Sequence, residues 1–132
     1  MRDVRVLVAD DNADLRDMLR LSLELAGGFD VVAEAACART AVALADSLRP
    51  DVLLVDLLMP GRDEIDVIAE VHRCHPEIGV VVLTGWVMEG DRDRALAGGA
   101  SEYLFKAPDL MSFLLPALRS AAVPRVVADA ER

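Results

Sequence analysis

Five short valine- and leucine-rich runs, each followed by a longer amphipathic stretch, divide this chain into a repeating pattern. Val4 to Ala9, Phe29 to Ala33, Asp51 to Val55, Ile78 to Leu83 and Glu102 to Phe105 have the length of strands. Two are continuously apolar, as strands covered on both faces must be, because successive side chains point to opposite faces of a sheet. Between them apolar residues recur at helical spacing. One stripe is Leu15, Met18, Leu19 and Leu23, a second Val42, Ala45 and Leu48, and a third Ile65, Ile68, Ala69 and His72. The last and clearest is Leu110, Phe113, Leu114, Ala117, Leu118 and Ala121. Gly27-Gly28, Pro50-Asp51, Pro60-Gly61, Pro76, Gly98-Gly99 and Pro108-Asp109 punctuate the boundaries. The pattern predicts an α/β fold: a doubly wound, five-stranded parallel sheet with helices on both faces. Val87 to Leu96 is the least regular helical segment, charged and broken by Gly90, and is expected to be mobile. A domain spanning 1–122 is expected, with 123–132 a C-terminal tail or the start of a linker.

Composition narrows the function. In 132 residues, 54% are hydrophobic but 20 are alanine and only 4% of the chain is aromatic, so the core must be aliphatic and close-packed. Fourteen basic against 23 acidic residues leave a net charge of −9, the wrong sign for gripping a nucleic-acid backbone. Cys37 and Cys74 sit in no metal or redox spacing and read as ordinary thiols. No apolar stretch approaches the ~20 residues that span a bilayer, and Met1-Arg2-Asp3 does not open like a secretory signal. The expectation is a cytoplasmic domain without a membrane segment.

In an open parallel sheet, the carboxyl ends of the strands converge on one crevice where ligands bind. Here the first strand ends in Asp10-Asp11, the third in Asp56, the fourth in Thr84 and the fifth in Lys106. Two carboxylates about 5 Å apart repel by roughly 3 kcal/mol at an effective dielectric of ~20, so the cluster calls for a cation. Magnesium fits this all-oxygen set, since no Cys or His falls at a strand end. Lys106 is the only lysine; the other 13 basic residues are arginines. A compact ammonium suits an oxyanion beside a carboxylate better than a planar guanidinium does.

Asp10-Asp11, Asp56-Leu57-Leu58-Met59-Pro60-Gly61, Leu83-Thr84-Gly85 and Gly99 to Lys106, in this order and spacing, resemble a two-component response-regulator receiver domain over about residues 3 to 122. The resemblance implies the flavodoxin-like strand order 2-1-3-4-5. It implies that Asp56 is the phosphoacceptor for a sensor histidine kinase or phosphotransfer protein. Mg²⁺ would be held by Asp11, Asp56 and the Leu58 carbonyl, with Asp10 reaching it through water. Lys106 would pair with phosphoryl oxygens, Thr84 would turn its hydroxyl toward them, and Tyr103 would follow as the switch aromatic. Such a domain is a signalling switch, not an enzyme with a separate substrate, and a homodimer through the last helix and fifth-strand face is expected. Two rivals use the same residues differently. One is a pseudo-receiver acting as a phosphorylation-independent interaction module. The other is an aspartate-nucleophile phosphatase, which would place its nucleophile after the first strand and add a cap domain.

Several positions depart from the family pattern. Glu64 stands where glycine is usual, which suggests either that the loop forgoes a positive φ or that the helix starts earlier, and Lys106 is followed by Ala107, whose peptide bond is expected to be trans. Pro116 falls inside the last stripe and predicts a kinked or late-starting helix. Leu58 and Trp86, two residues past Asp56 and Thr84, are apolar where the family positions modulate water access; either they shield an acyl phosphate or Trp86 simply lies on the surface. His72 and His75 are read as packing or capping residues. Asp91-Arg92-Asp93-Arg94 is read as a solvated helix face.

Overall fold

The structure is a computed structural model that describes residues 2–56, 64–85 and 90–130, with side chains described for 2–56, 66–85 and 90–122. Five strands and five helices alternate: β1 Val4–Ala9, α1 Ala13–Ala26, β2 Phe29–Ala35, α2 Ala38–Leu48, β3 Val52–Asp56, α3 Glu64–Cys74, β4 Gly79–Thr84, α4 Asp91–Ala97, β5 Glu102–Phe105 and α5 Leu110–Ala130. The strands form one sheet in the order β2-β1-β3-β4-β5, all neighbours parallel. Both the fold class and the implied strand order are therefore met.

The continuous apolar runs have a direct structural cause. On β1, β3 and β4 alternate residues enter two different cores. Leu7, Leu53, Val55, Val80 and Val82 meet α2, α3 and α4 through Ala41, Ile68, Val71 and Ala95. Val6, Val8, Val52, Leu54, Val81 and Leu83 meet α1 and α5 through Leu19, Leu23, Leu114 and Leu118. Small residues draw helices onto the sheet. α2 buries Ala38, Ala41 and Ala45, and a methyl group on Gly79 would collide with the backbone of Ala121 on α5.

Some helix faces differ from expectation. In α3 the buried residues are Val67, Ile68 and Val71, whereas Ala69 and His72 are exposed. His72 instead lies against Gly99, which has a φ of 118° and no room for a Cβ. His75 is the buried histidine, with Nε2 at 2.7 Å from Asp46 Oδ1. Met18 and Phe113, assigned to core stripes, are exposed. α3 is described from Glu64 onward, and the residues before it lie outside the described ones. α5 begins at Leu110, not near Ser112, so Pro116 lies in its interior and denies the Ser112 carbonyl its usual donor. The helix continues to Ala130 through the segment expected to be a tail. No cis peptide bond occurs among the described residues, so Lys106-Ala107 is trans.

Candidate functional site

The sheet brings the strand-end residues together. β1 and β3 are adjacent, with Ala9 paired to Val55, so Asp10 and Asp56 leave the ladder side by side. Carboxylate oxygens of Asp10, Asp11 and Asp56 all lie within 4.8 Å of one another. Asp10 and Asp56 are only 2% and 5% exposed, while Asp11 faces solvent. Lys106 crosses to them from beyond β5, its Nζ 3.2 Å from Asp10 Oδ2 and 3.3 Å from Asp56 Oδ2. Its backbone N–H donates to the Thr84 carbonyl at 2.8 Å, and its stem passes Gly85. The end of β4 thus anchors the backbone and stem from which the ammonium reaches the carboxylates.

Burial raises the Asp10 carboxyl above the ordinary carboxylate range, and the negative Asp56 adds to it. The Asn12 N–H, 2.9 Å from Asp10 Oδ1, and Lys106 oppose that rise. Asn12 also caps α1, accepting from the N–H groups of Asp14 and Leu15. Three carboxylates against one ammonium leave the crevice negative. An oxygen-only donor set of this size fits a hard divalent cation.

Thr84 is buried at the end of β4. Tyr103 pairs with Val82 and is therefore the diagonal neighbour of Thr84 on the same face. Its ring packs against the α2–α4 core, and its hydroxyl is enclosed beside the Thr84 side chain. Burial, followed by the negative charge of Asp91, raises the phenol above its ordinary value, and a hydrogen bond with the Thr84 side chain opposes that rise. Tyr103 and Thr84 are thus neighbours both through the sheet register and through their side chains.

Asp10, Asp11, Asp56, Thr84, Tyr103 and Lys106 thus gather at one edge of the sheet. Leu58 and Trp86 lie outside the described residues. Sequence reasoning missed Asn12, although Asp11-Asn12 directly before a helix is an N-cap signal. It also missed Arg16, whose Nη1 donates to the Asp10 carbonyl at 2.6 Å. No sequence pattern announces that contact.

A doubly wound sheet with an acidic trio and one lysine at its carboxyl edge defines the receiver class of signalling domains. The chain belongs to the response regulator receiver domain family, whose profile matches residues 6–114, and such domains are parts of two-component systems. It is 39% identical over 123 residues to the transcriptional regulatory protein PdtaR of Mycobacterium tuberculosis, an alignment covering 89% of this chain and 56% of that protein. It is 32% identical over 103 residues to the response regulator protein VraR of Staphylococcus aureus, covering 78% of this chain and 49% of that one. The chain therefore spans about half the length of these curated relatives. Among solved structures, the signal receiver domain of the response regulator NarL from Mycobacterium tuberculosis superimposes with a TM-score of 0.84 at 30% identity, covering 92% of this chain and 98% of that one. A response regulator from Burkholderia pseudomallei, with a phosphorylated aspartic acid, calcium ion and citrate, superimposes with a TM-score of 0.79 at 29% identity. It covers 97% of this chain and 74% of that one.

Proposed function

We propose that this chain is a phosphorylation-controlled switch that takes a phosphoryl group on Asp56 from the phosphohistidine of a sensor kinase or phosphotransfer protein. The observation that carries the reading is the Lys106 ammonium, within 3.3 Å of both buried carboxylates in an otherwise negative crevice. The phosphorylated aspartic acid in the Burkholderia relative supports it.

One Asp56 carboxylate oxygen attacks phosphorus as the P–N bond breaks. The bonding electron pair leaves with the imidazole nitrogen, which takes up a proton. Lys106 meets the phosphoryl oxygens with a charge-assisted hydrogen bond, and Asp10 keeps it oriented by holding it at 3.2 Å. Asp11, Asp56 and the Leu58 carbonyl, with Asp10 through water, would hold Mg²⁺, which would supply charge neutralisation at the transferring group. The task of the protein is positioning and charge, so no separate acid or base is required.

Thr84 then turns its hydroxyl to the new oxygens, and Tyr103 moves with it. A few charge-assisted hydrogen bonds at about 1.5–3 kcal/mol each suffice to reverse a switch whose states differ by a few kcal/mol. The domain in this reading catalyses only its own phosphorylation and dephosphorylation, works in the cytoplasm, and controls an attached output domain or a partner protein. Leu58 and Trp86 slow hydrolysis of the acyl phosphate by limiting water, so Trp86→Ala accelerates dephosphorylation. Self-association, where it accompanies activation, uses the face of β5 and α5, where Leu104, Phe113, Pro116 and Ala117 line a shallow groove.

The test is titration with beryllofluoride in the presence of Mg²⁺, reading Trp86 fluorescence and oligomeric state. A saturable response in the wild type and none in Asp56→Asn is expected. An equal response in the variant refutes the acceptor assignment.

A further inference from the structure

Asp10 is held from several directions as it leaves the sheet. Its N–H donates to the Ala35 carbonyl at 2.9 Å. Its carboxylate accepts from the Asn12 N–H at 2.9 Å and from Lys106 at 3.2 Å. Its carbonyl lies beyond the last β1–β3 pair, Ala9 with Val55, and has no place in that ladder. The Arg16 guanidinium on α1 takes it, Nη1 to oxygen 2.6 Å.

Arg16 is itself braced. Its Nε donates to Glu34 Oε1 at 3.2 Å, and Glu34 Oε2 accepts from Arg20 Nη1 at 2.6 Å. Arg20 in turn reaches Asp17 at 3.1 Å. The side chains of Arg16 and Glu34 are 17% and 22% exposed, so this is a sheltered bridge rather than a freely solvated pair. It ties the end of the edge strand β2 to the first turns of α1 and to the peptide between the two aspartates.

That peptide is planar, so fixing the Asp10 oxygen fixes the direction in which the chain reaches Asp11. Asp11 is exposed, and among the described residues its carboxylate has no hydrogen bond or ion pair of its own. Its location therefore depends on its backbone. We propose that Arg16 is a positioning residue for cation capture: braced by Glu34, it clamps the Asp10 carbonyl and so presents Asp11 to the site shared with Asp10 and Asp56. This rests on reading the acidic trio as a divalent-cation site.

The sign of one measurement separates a clamp from a bystander charge. A cation close to the site repels a metal ion, so removing a mere bystander would tighten metal binding. Removing a clamp weakens it, and partners that orient ligands are typically worth 10–100-fold in affinity. The experiment titrates the metal-free protein with Mn²⁺, counts the free ion by electron paramagnetic resonance, and then displaces bound Mn²⁺ with Mg²⁺. Arg16→Ala should weaken both ions about tenfold. Arg16→Lys, able to reach the carbonyl but not to hold Glu34 in the same fork, should fall between it and wild type. If Arg16→Ala does not fold, Arg16→Lys and Glu34→Gln carry the test, each expected to weaken binding by a smaller factor. Affinity equal to or tighter than wild type in every folded variant overturns the clamp. Failure of the wild type to bind Mn²⁺, or undiminished binding by Asp11→Asn, overturns the cation-site reading instead.

Discussion

Replacing Asp56 with asparagine should make the divalent-free protein more stable at pH 7, although it removes an ion pair. Among the described residues, four terms set the sign. The variant loses attraction to Lys106 across 3.3 Å, worth about 5 kcal/mol at an effective dielectric near 20. It sheds repulsion from Asp10, whose oxygen lies within 4.8 Å, worth about 3.5 kcal/mol on the same scale. Asp11 is exposed and adds no more than about 1 kcal/mol after solvent screening. These Coulomb terms nearly cancel. What remains is the cost of keeping an ionised carboxylate at 5% exposure, several kcal/mol per ion before compensation. We therefore expect a net gain of about 1–3 kcal/mol, a Tm rise of roughly 4–10 °C for a chain of this length. Urea unfolding in EDTA measures it directly. Saturating Mg²⁺ should then stabilise the wild type far more than the variant and close the gap. A variant less stable than wild type in EDTA, or one that gains as much from Mg²⁺, would show that the crevice is not strained by its own charge.

Other outcomes follow from the same geometry. Asp10 has a raised carboxyl, so the native state holds its proton to higher pH than the unfolded chain does. Its contribution to stability should therefore fall as pH rises from the ordinary carboxylate range through the raised native value. Added Mg²⁺ should help increasingly across that window, as measured by denaturation at stepped pH; a divalent benefit that is flat with pH contradicts this. Tyr103→Phe, which deletes a hydroxyl enclosed beside Thr84, should change stability by no more than about 1 kcal/mol. The same substitution should blunt the conformational response to beryllofluoride, read by hydrogen exchange at β4 and β5. Gly99→Ala puts a methyl group into His72 at positive φ and should cost at least ~2 kcal/mol, only part of it recovered in a His72→Ala background. Full recovery would show that the contact, and not the backbone, sets the requirement.

Much of this protein is legible without coordinates, and the reason lies in the sheet. Leu53, Leu54 and Val55 point to alternate cores, so β3 must be apolar throughout, and the residue where that run stops, Asp56, marks the crevice. The same logic finds Asp10 after β1, Thr84 at the end of β4 and Lys106 after β5. Helix faces are less legible where alanine packs. In α2 the buried face is Ala38, Ala41 and Ala45, and the larger Val42 lies beside it, because a close approach to the sheet selects small residues. A pattern weighted by hydrophobicity follows Val42 and Leu48 instead. His72 and His75 exchange roles for a related reason: the turn of α3 that carries Val71 continues to His75, which Asp46 receives. The Arg16–Glu34 bridge joins residues 18 positions apart on different elements, a pairing that depends on how α1 lies beside the end of β2.

The most direct test of the central claim is incubation with a small acyl-phosphate donor, with and without Mg²⁺, followed by mapping of the modified residue. The account predicts one hydroxylamine-labile phosphoryl group on Asp56, formed only with the divalent ion, greatly slowed in Lys106→Ala and absent from Asp56→Asn. Label on another residue, or label of undiminished yield in EDTA, would contradict it.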